Sequence, residues 1–233
     1  MKPALTMLTF ALAAALATAG CNANPPPERA ADAVTPTATT TTVPAVPPAA
    51  ATAEIAAPKL QADMRALWHG HVVQTREYAM AVQANDQAKA VQAAAGVVAN
   101  ATSISDAIAG FYGPAAGKEM LRLLGGHWGG VKALTDAQIG GDTPGVQKAM
   151  DALMGNGGEI AKFLAGANPN LPEDAVLGLL VAHVGHHAAQ VQQIAAGDTA
   201  GEAATWAAMQ AHMDVLADAL AGAVAQQFPD KAA

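Results

Sequence analysis

His71, His127 and His183 stand 56 residues apart, and the same step carries Asp86 to Asp142 and Asp198, Leu67 to Leu123 and Leu179, and Gly110 to Gly166 and Gly222, without a gap. The columns Ile104, Ile160, Leu216 and Ile108, Leu164, Leu220 agree with it. A chain with seven histidines does not align three of them at one period by composition alone. A fixed period with conserved apolar positions marks tandem units, each burying its apolar face against its neighbours. Three units follow, 58–113, 114–169 and 170–225.

Each unit carries the punctuation of a helical hairpin. Asp86, Asp142 and Asp198 lie in "AND", "GGDTPG" and "AGDTAG". There a Gly is expected to end one helix in the left-handed region and Asp to cap the next by accepting its free N–H groups. Between units, Gly110 and Gly166 are expected to stop a helix, with Pro114 and the "NPNLPED" run from Asn168 restarting one. The expected elements are six helices, roughly 59–83, 87–110, 115–139, 143–166, 172–195 and 200–226. The fold class is therefore all-α, a six-helix bundle of three tandem hairpins. Alanine, the best helix former, dominates a composition that is 52% hydrophobic and only 4% aromatic, which agrees with this reading.

Apolar positions recur at helical spacing, and the repeated histidines fall within them. The first helix shows Leu60, Met64, Leu67, His71, Thr75, Tyr78 and Val82; the third shows Met120, Leu123, His127, Val131 and Leu134; the fifth shows Val176, Leu179, Leu180, His183, His187, Val191 and Ile194. On the even-numbered helices the stripe includes Asn100, Asn156 and His212, again 56 apart. His71 and Asn100 are both about 21–22 Å along their helices from the turn at Asp86, at 1.5 Å per residue. The same counting about Asp142 and Asp198 puts His127 level with Asn156 and His183 level with His212. Six polar side chains are thus expected on one cross-section of an apolar core, where each unpaired group costs roughly 1–3 kcal/mol. The glycines of "LRLLGGHWGG" (121–130) are expected to make room around His127.

Imidazoles without thiolate suit a borderline first-row divalent ion, zinc, copper, nickel or iron, with ring nitrogens about 2.0–2.1 Å from zinc. The expected ligands are His71, His127, His183 and His212. His187 and Glu159 are further candidates, the first because i, i+4 imidazoles share one helical face. Asn100 and Asn156 are expected to orient ligands by hydrogen bonding. Because ligand rings must be neutral, binding is expected to weaken as the pH falls through about 6.5. Two other readings stand beside this one: a structural polar layer in which each His pairs with its Asn to fix helix register, and a metal-dependent enzyme with an open coordination position. His69, two residues from His71, is expected on the opposite side; His186 lies one position off the stripe. Trp68, Trp128 and Trp206, with Met64, Met120 and Met209, fit packing positions.

The formal charge of −7, from 12 Lys+Arg against 19 Asp+Glu, offers no basic face to nucleic acid, and no such partner is expected. Met1 and Lys2 precede an apolar stretch, Ala4 to Ala19, that ends in "LATAGC", so residues 1–20 read as a signal peptide. Cys21 is the only cysteine, which excludes a disulfide within the chain and a thiolate cluster. Residues 21–57 are rich in Pro, Ala and Thr and read as a disordered tether before the bundle at 58–230.

"LATAGC" resembles the lipobox of bacterial lipoproteins, with Thr18 in place of the usual leucine. The resemblance implies that Cys21 is lipidated, becomes the mature N-terminus and anchors the chain to a membrane. Asn22 after the cysteine implies an outer-membrane location facing the periplasm. "ALWHGHVVQTREY" (66–78), "FYG" (111–113), "GDT" (141–143), "FLAGANPNLPED" (163–174) and "QAHMDVLADALAGAVAQQFPD" (210–230) resemble a family of small bacterial helical proteins whose first helix reads Leu-Trp-x-x-His-Val-x-x-Thr-Arg and whose chain ends near Gln-Phe-Pro. His71, Thr75 and Arg76 match its first motif and His212 lies in its last. That resemblance implies one helical domain and carries no chemistry. The His-x-x-x-Glu helix of haemerythrin-like di-iron carriers is not present.

Overall fold

The computed structural model describes residues 57–232. The expected signal peptide, Cys21 and nearly all of the tether lie outside the described residues. Within them the chain is helical throughout: α1 (Pro58–Gln83), α2 (Gln87–Tyr112), α3 (Pro114–Gly140), α4 (Thr143–Ala167), α5 (Glu173–Ala196), α6 (Thr199–Gln227) and a final single turn, α7 (Pro229–Ala232). The connections are so short that consecutive helices run antiparallel, so α1, α3 and α5 share one direction.

The repeat is visible in the turns atom by atom. Asn85, Gly141 and Gly197 occupy equivalent positions and all have positive φ, 55°, 72° and 69°. The next residue sends its N–H back to the helix just ended: Asp86 to Ala81, Asp142 to Ala137 and Asp198 to Gln193, at 2.9, 2.8 and 2.9 Å. Its carboxylate then accepts from the amide three residues on, Lys89, Gly145 or Gly201, at 3.1, 3.0 and 2.9 Å. A left-handed residue thus closes one helix and an Asp opens the next.

Two expected stops are misplaced. α2 runs through Gly110 to Tyr112, and α4 runs through Gly166 to Ala167. An interior glycine costs a helix only about 1 kcal/mol, and the backbone turns away only at Gly113, where φ reaches 90°. At the second junction Asn168, wholly buried, ends α4: its side-chain N–H donates to the Tyr112 hydroxyl at 2.9 Å and its oxygen accepts from the Asn170 amide at 2.8 Å. The turn α7, begun by Pro229, was not expected; it buries Ala232.

The six long helices close into a ring in sequence order, α1 against α2 through α6 against α1, while α1, α3 and α5 also touch one another at the centre. The arrangement has a pseudo-threefold axis, which brings any residue on the inner helices to the same height as its equivalents 56 and 112 positions away. A large apolar cluster with Leu60, Met64, Trp68, Met120, Leu123, Val176, Leu180 and Met209 fills the end where α1 begins and α6 ends. Smaller clusters fill the hairpin-turn end, one around Val131, Leu134 and Leu153 and another around Tyr78 and Ala93.

The seam between α1 and α6 closes the ring and carries a ladder of polar pairs. Arg65 binds Asp218 through two hydrogen bonds of 2.7 and 2.6 Å, and Gln61 adds a third at 2.9 Å. The His69 ring meets Asp214 at 2.8 Å, which puts it at this interface and away from the bundle axis. Arg76 grips Glu202 with bonds of 2.7 and 2.8 Å, stacks 4.9 Å from the Trp206 ring centroid, and shares its carboxylate with the Gln190 amide at 2.9 Å. Glu202 is only 7% exposed. Arg76→Ala leaves that carboxylate without its cation and is expected to lower the unfolding free energy by about 3 kcal/mol. Arg65→Ala, at a wetter pair, is expected to cost about 1 kcal/mol or less. Urea titration compares the two.

Candidate metal centre

His71, His127 and His183 sit on α1, α3 and α5 at one height and turn toward the axis, only 2%, 3% and 2% exposed. Their ring centroids form a nearly equilateral triangle of 5.7, 5.7 and 5.4 Å. His187, one turn further along α5, closes the triangle from one side; its centroid lies 6.1 Å from His71, 6.0 Å from His127 and 4.4 Å from His183. The first two hairpins have Thr75 and Val131 at this position, so the third hairpin alone supplies the fourth ring. One nitrogen from each of the four rings falls within 4.8 Å of every other.

These distances suit a shared ion. Two imidazoles on one tetrahedral metal, with nitrogens about 2.0–2.1 Å from it, hold their nitrogens about 3.3 Å apart and their centroids about 5.2 Å apart. The triangle already has nearly this size, and the His183–His187 pair, at 4.4 Å, is the one that stands closer than this spacing.

The hydrogen bonding points the same way. His187 Nε2 and His183 Nε2 share a proton across 3.1 Å. Both nitrogens of His71, both of His127 and Nδ1 of His183 meet no hydrogen-bond partner within the protein. Burial is the main force on their protonation. It drives His71 down to about 3, with a smaller push from His127. It drives His127 down to about 4, opposed by the nearby Asn156 amide. His183 and His187 fall well below the ordinary value through burial and their neighbouring imidazoles. All four are neutral at physiological pH, so each carries one nitrogen lone pair; that of the acceptor in the His183–His187 bond is engaged, and the others meet no partner within the protein. The expected loss of affinity near pH 6.5 therefore does not arise from titration of the folded site.

Asn100, Asn156 and His212 form a second threefold set with a different task from the one expected. Asn100 and Asn156 donate their amide N–H to the carbonyls of Leu67 and Leu123 at 2.9 and 3.1 Å, and His212 Nε2 makes the same bond to Leu179 at 2.9 Å. Each stitches an even helix to its partner one turn before the central histidine. Neither Asn oxygen makes a hydrogen bond of normal length and angle to a ring, although Asn156 lies close enough to His127 to oppose the fall in its pKa, so the His–Asn pair of the structural reading is a weak contact in the second hairpin and is not made in the first. His212 imitates an asparagine here and stands outside the group of four, although its centroid is 6.4 Å from that of His183. The unpaired atoms facing inward also correspond: Oδ1 of Asn100, Oδ1 of Asn156 and Nδ1 of His212. Glu159 lies on the surface and pairs with Arg122 at 3.3 Å, far from a role at the centre, because its place beside Ile160 turns it outward.

The glycines serve helix contact more than an open chamber. A Cβ on Gly126 would stand 3.0 Å from the Asn156 amide nitrogen, and one on Gly130 would stand 2.7 Å from Leu153. Those two admit α4, whereas Gly125 and Gly129 face open space. Sequence reasoning placed His187 behind His212 as a ligand; its i, i+4 relation to His183 was the signal that deserved more weight.

Comparison with protein-family models, curated proteins and solved structures finds no match to this chain.

Proposed function

We propose that the protein is a lipid-anchored envelope module that holds one transition-metal ion on His71, His127, His183 and His187, and that it buffers or delivers that ion. The observation that carries the reading is the unpaired state of the buried rings. A layer kept only to fix packing would satisfy its polar atoms, since each orphan costs roughly 1–3 kcal/mol, yet five ring nitrogens in this cluster face no partner. An ion would take up four lone pairs at once.

Three rings around an axis with a fourth to one side favour tetrahedral coordination. This suits zinc over the tetragonal preference of Cu(II) or Ni(II). Four nitrogens fill the sphere and leave no position for substrate, which supports holding over catalysis. The membrane location rests on "LATAGC" and Asn22; a Cys21→Ser chain is expected to move from the membrane to the soluble envelope fraction, and unchanged fractionation would remove the anchor.

Mass-spectrometric metal analysis of the full chain after zinc loading and desalting is expected to find one ion per molecule. His71→Ala and His183→Ala are expected to lose it, while His69→Ala and Glu159→Ala retain it. Equal zinc in all five proteins would place the binding elsewhere. Trp68, with its centroid 6.1 Å from that of His71, is the natural fluorescence reporter.

A further inference from the structure

The third hairpin breaks the threefold pattern in a second place. Where the first two units have Asn100 and Asn156, it has His212, and where they have Gln74 and Gly130, it has His186. The two substituted rings are neighbours, with centroids 5.4 Å apart, close to the spacing of two imidazoles on one ion. His186 is 8% exposed and His212 is 4% exposed. His212 in turn lies 6.4 Å from His183, itself part of the centre. Its Nε2 is committed to the Leu179 carbonyl, which fixes the tautomer and leaves Nδ1 as a buried lone pair with no partner.

We infer that His186 and His212 form a second, transient metal site between α5 and α6, through which a divalent ion enters and leaves the four-histidine centre. The inference rests on the metal reading of that centre. The chemistry calls for such a station. The four central rings are 1–3% exposed, so an arriving hydrated ion must give up all its water, and losing that shell in one step is costly. At His186 and His212 it exchanges two waters for two imidazole nitrogens while still partly hydrated. Passage to His183 and His187 then replaces the remainder. Ligand exchange only is involved; the charge of the ion is unchanged and no bond of the protein breaks. The first two hairpins offer at the corresponding place an amide oxygen, a poorer ligand for a borderline ion, beside Gln74 or Gly130 in place of the second ring, so only one wall of the ring carries two imidazoles.

The repeat itself suggests a conservative variant. His212→Asn restores the residue found at the equivalent positions of the other two units, with the same bond to a leucine carbonyl available. His186→Gln is the second variant, since glutamine stands at the equivalent Gln74. Co(II) is the probe, because its absorption reports tetrahedral coordination directly. Uptake is followed by stopped flow in the full chain and release by excess chelator. Both variants are expected to bind one Co(II) with unchanged affinity, and to take it up and release it about tenfold more slowly, which is about 1.4 kcal/mol of barrier. Rates equal to the parent's would overturn the entry route while leaving the centre intact. A loss of affinity or stoichiometry in His212→Asn would make His212 a ligand of the centre and also overturn the route. A parent protein that binds no Co(II) would remove both readings.

Discussion

The metal-free protein is expected to unfold cooperatively in acidic solution, with a midpoint between about pH 3.5 and 5.5. Unfolded histidine titrates near 6.5. In the folded bundle burial holds His71 at about 3 and His127 at about 4, and keeps His183 and His187 well below the ordinary value. Between these limits the unfolded chain binds protons that the folded chain refuses, so stability is full above about 6.5 and falls as the pH drops. Each such imidazole contributes about 1.4 kcal/mol per pH unit, and four together about 5 kcal/mol per unit. A domain with 5–15 kcal/mol in hand exhausts this within about one to three units. On the proposed function the folded form alone offers the site, so zinc is expected to move the midpoint to lower pH. Circular dichroism at 222 nm against pH checks both curves. An acid midpoint below pH 3 without metal would contradict the burial of neutral rings, and a midpoint insensitive to zinc would contradict binding by the folded centre.

A second large effect separates a site from a scaffold. His71→Leu replaces a ring with two unpaired nitrogens by an apolar side chain of similar volume. It is expected to stabilise the metal-free protein by about 1–3 kcal/mol, because a buried orphan is removed and no hydrogen bond is lost. It is also expected to abolish the proposed zinc binding. Stability and binding then move in opposite directions, as they do where residues are retained for function. If the histidines instead fix the packing, the same substitution destabilises the bundle. Urea titrations of both proteins in chelator distinguish these outcomes.

Much of the architecture was legible because it is written three times. A period of 56 with Asp at every turn locates the hairpins to within a residue or two, and equal counts from each turn put the histidines at one height. The ends of α2 and α4 were less legible, since an interior glycine at 110 or 166 carries the same local signal as a stop and the outcome depends on Gly113 and on the tertiary bond from Asn168 to Tyr112. Which rings converge was only partly legible. Height alone could not tell His212, which bonds a carbonyl on the neighbouring helix, from His187, which lies one turn lower but on an inner helix. Inner and outer positions depend on how the ring closes. The seam of α1 with α6, where Arg76 meets Glu202 across 126 residues, has no local trace at all.

The coordination sphere offers the most direct test. X-ray absorption at the zinc edge of the full chain loaded with one equivalent is expected to fit four nitrogen scatterers at about 2.0–2.1 Å, with the outer-shell pattern of imidazole. A five- or six-coordinate shell containing oxygen, or a spectrum unchanged by His183→Ala, would contradict a closed centre of His71, His127, His183 and His187.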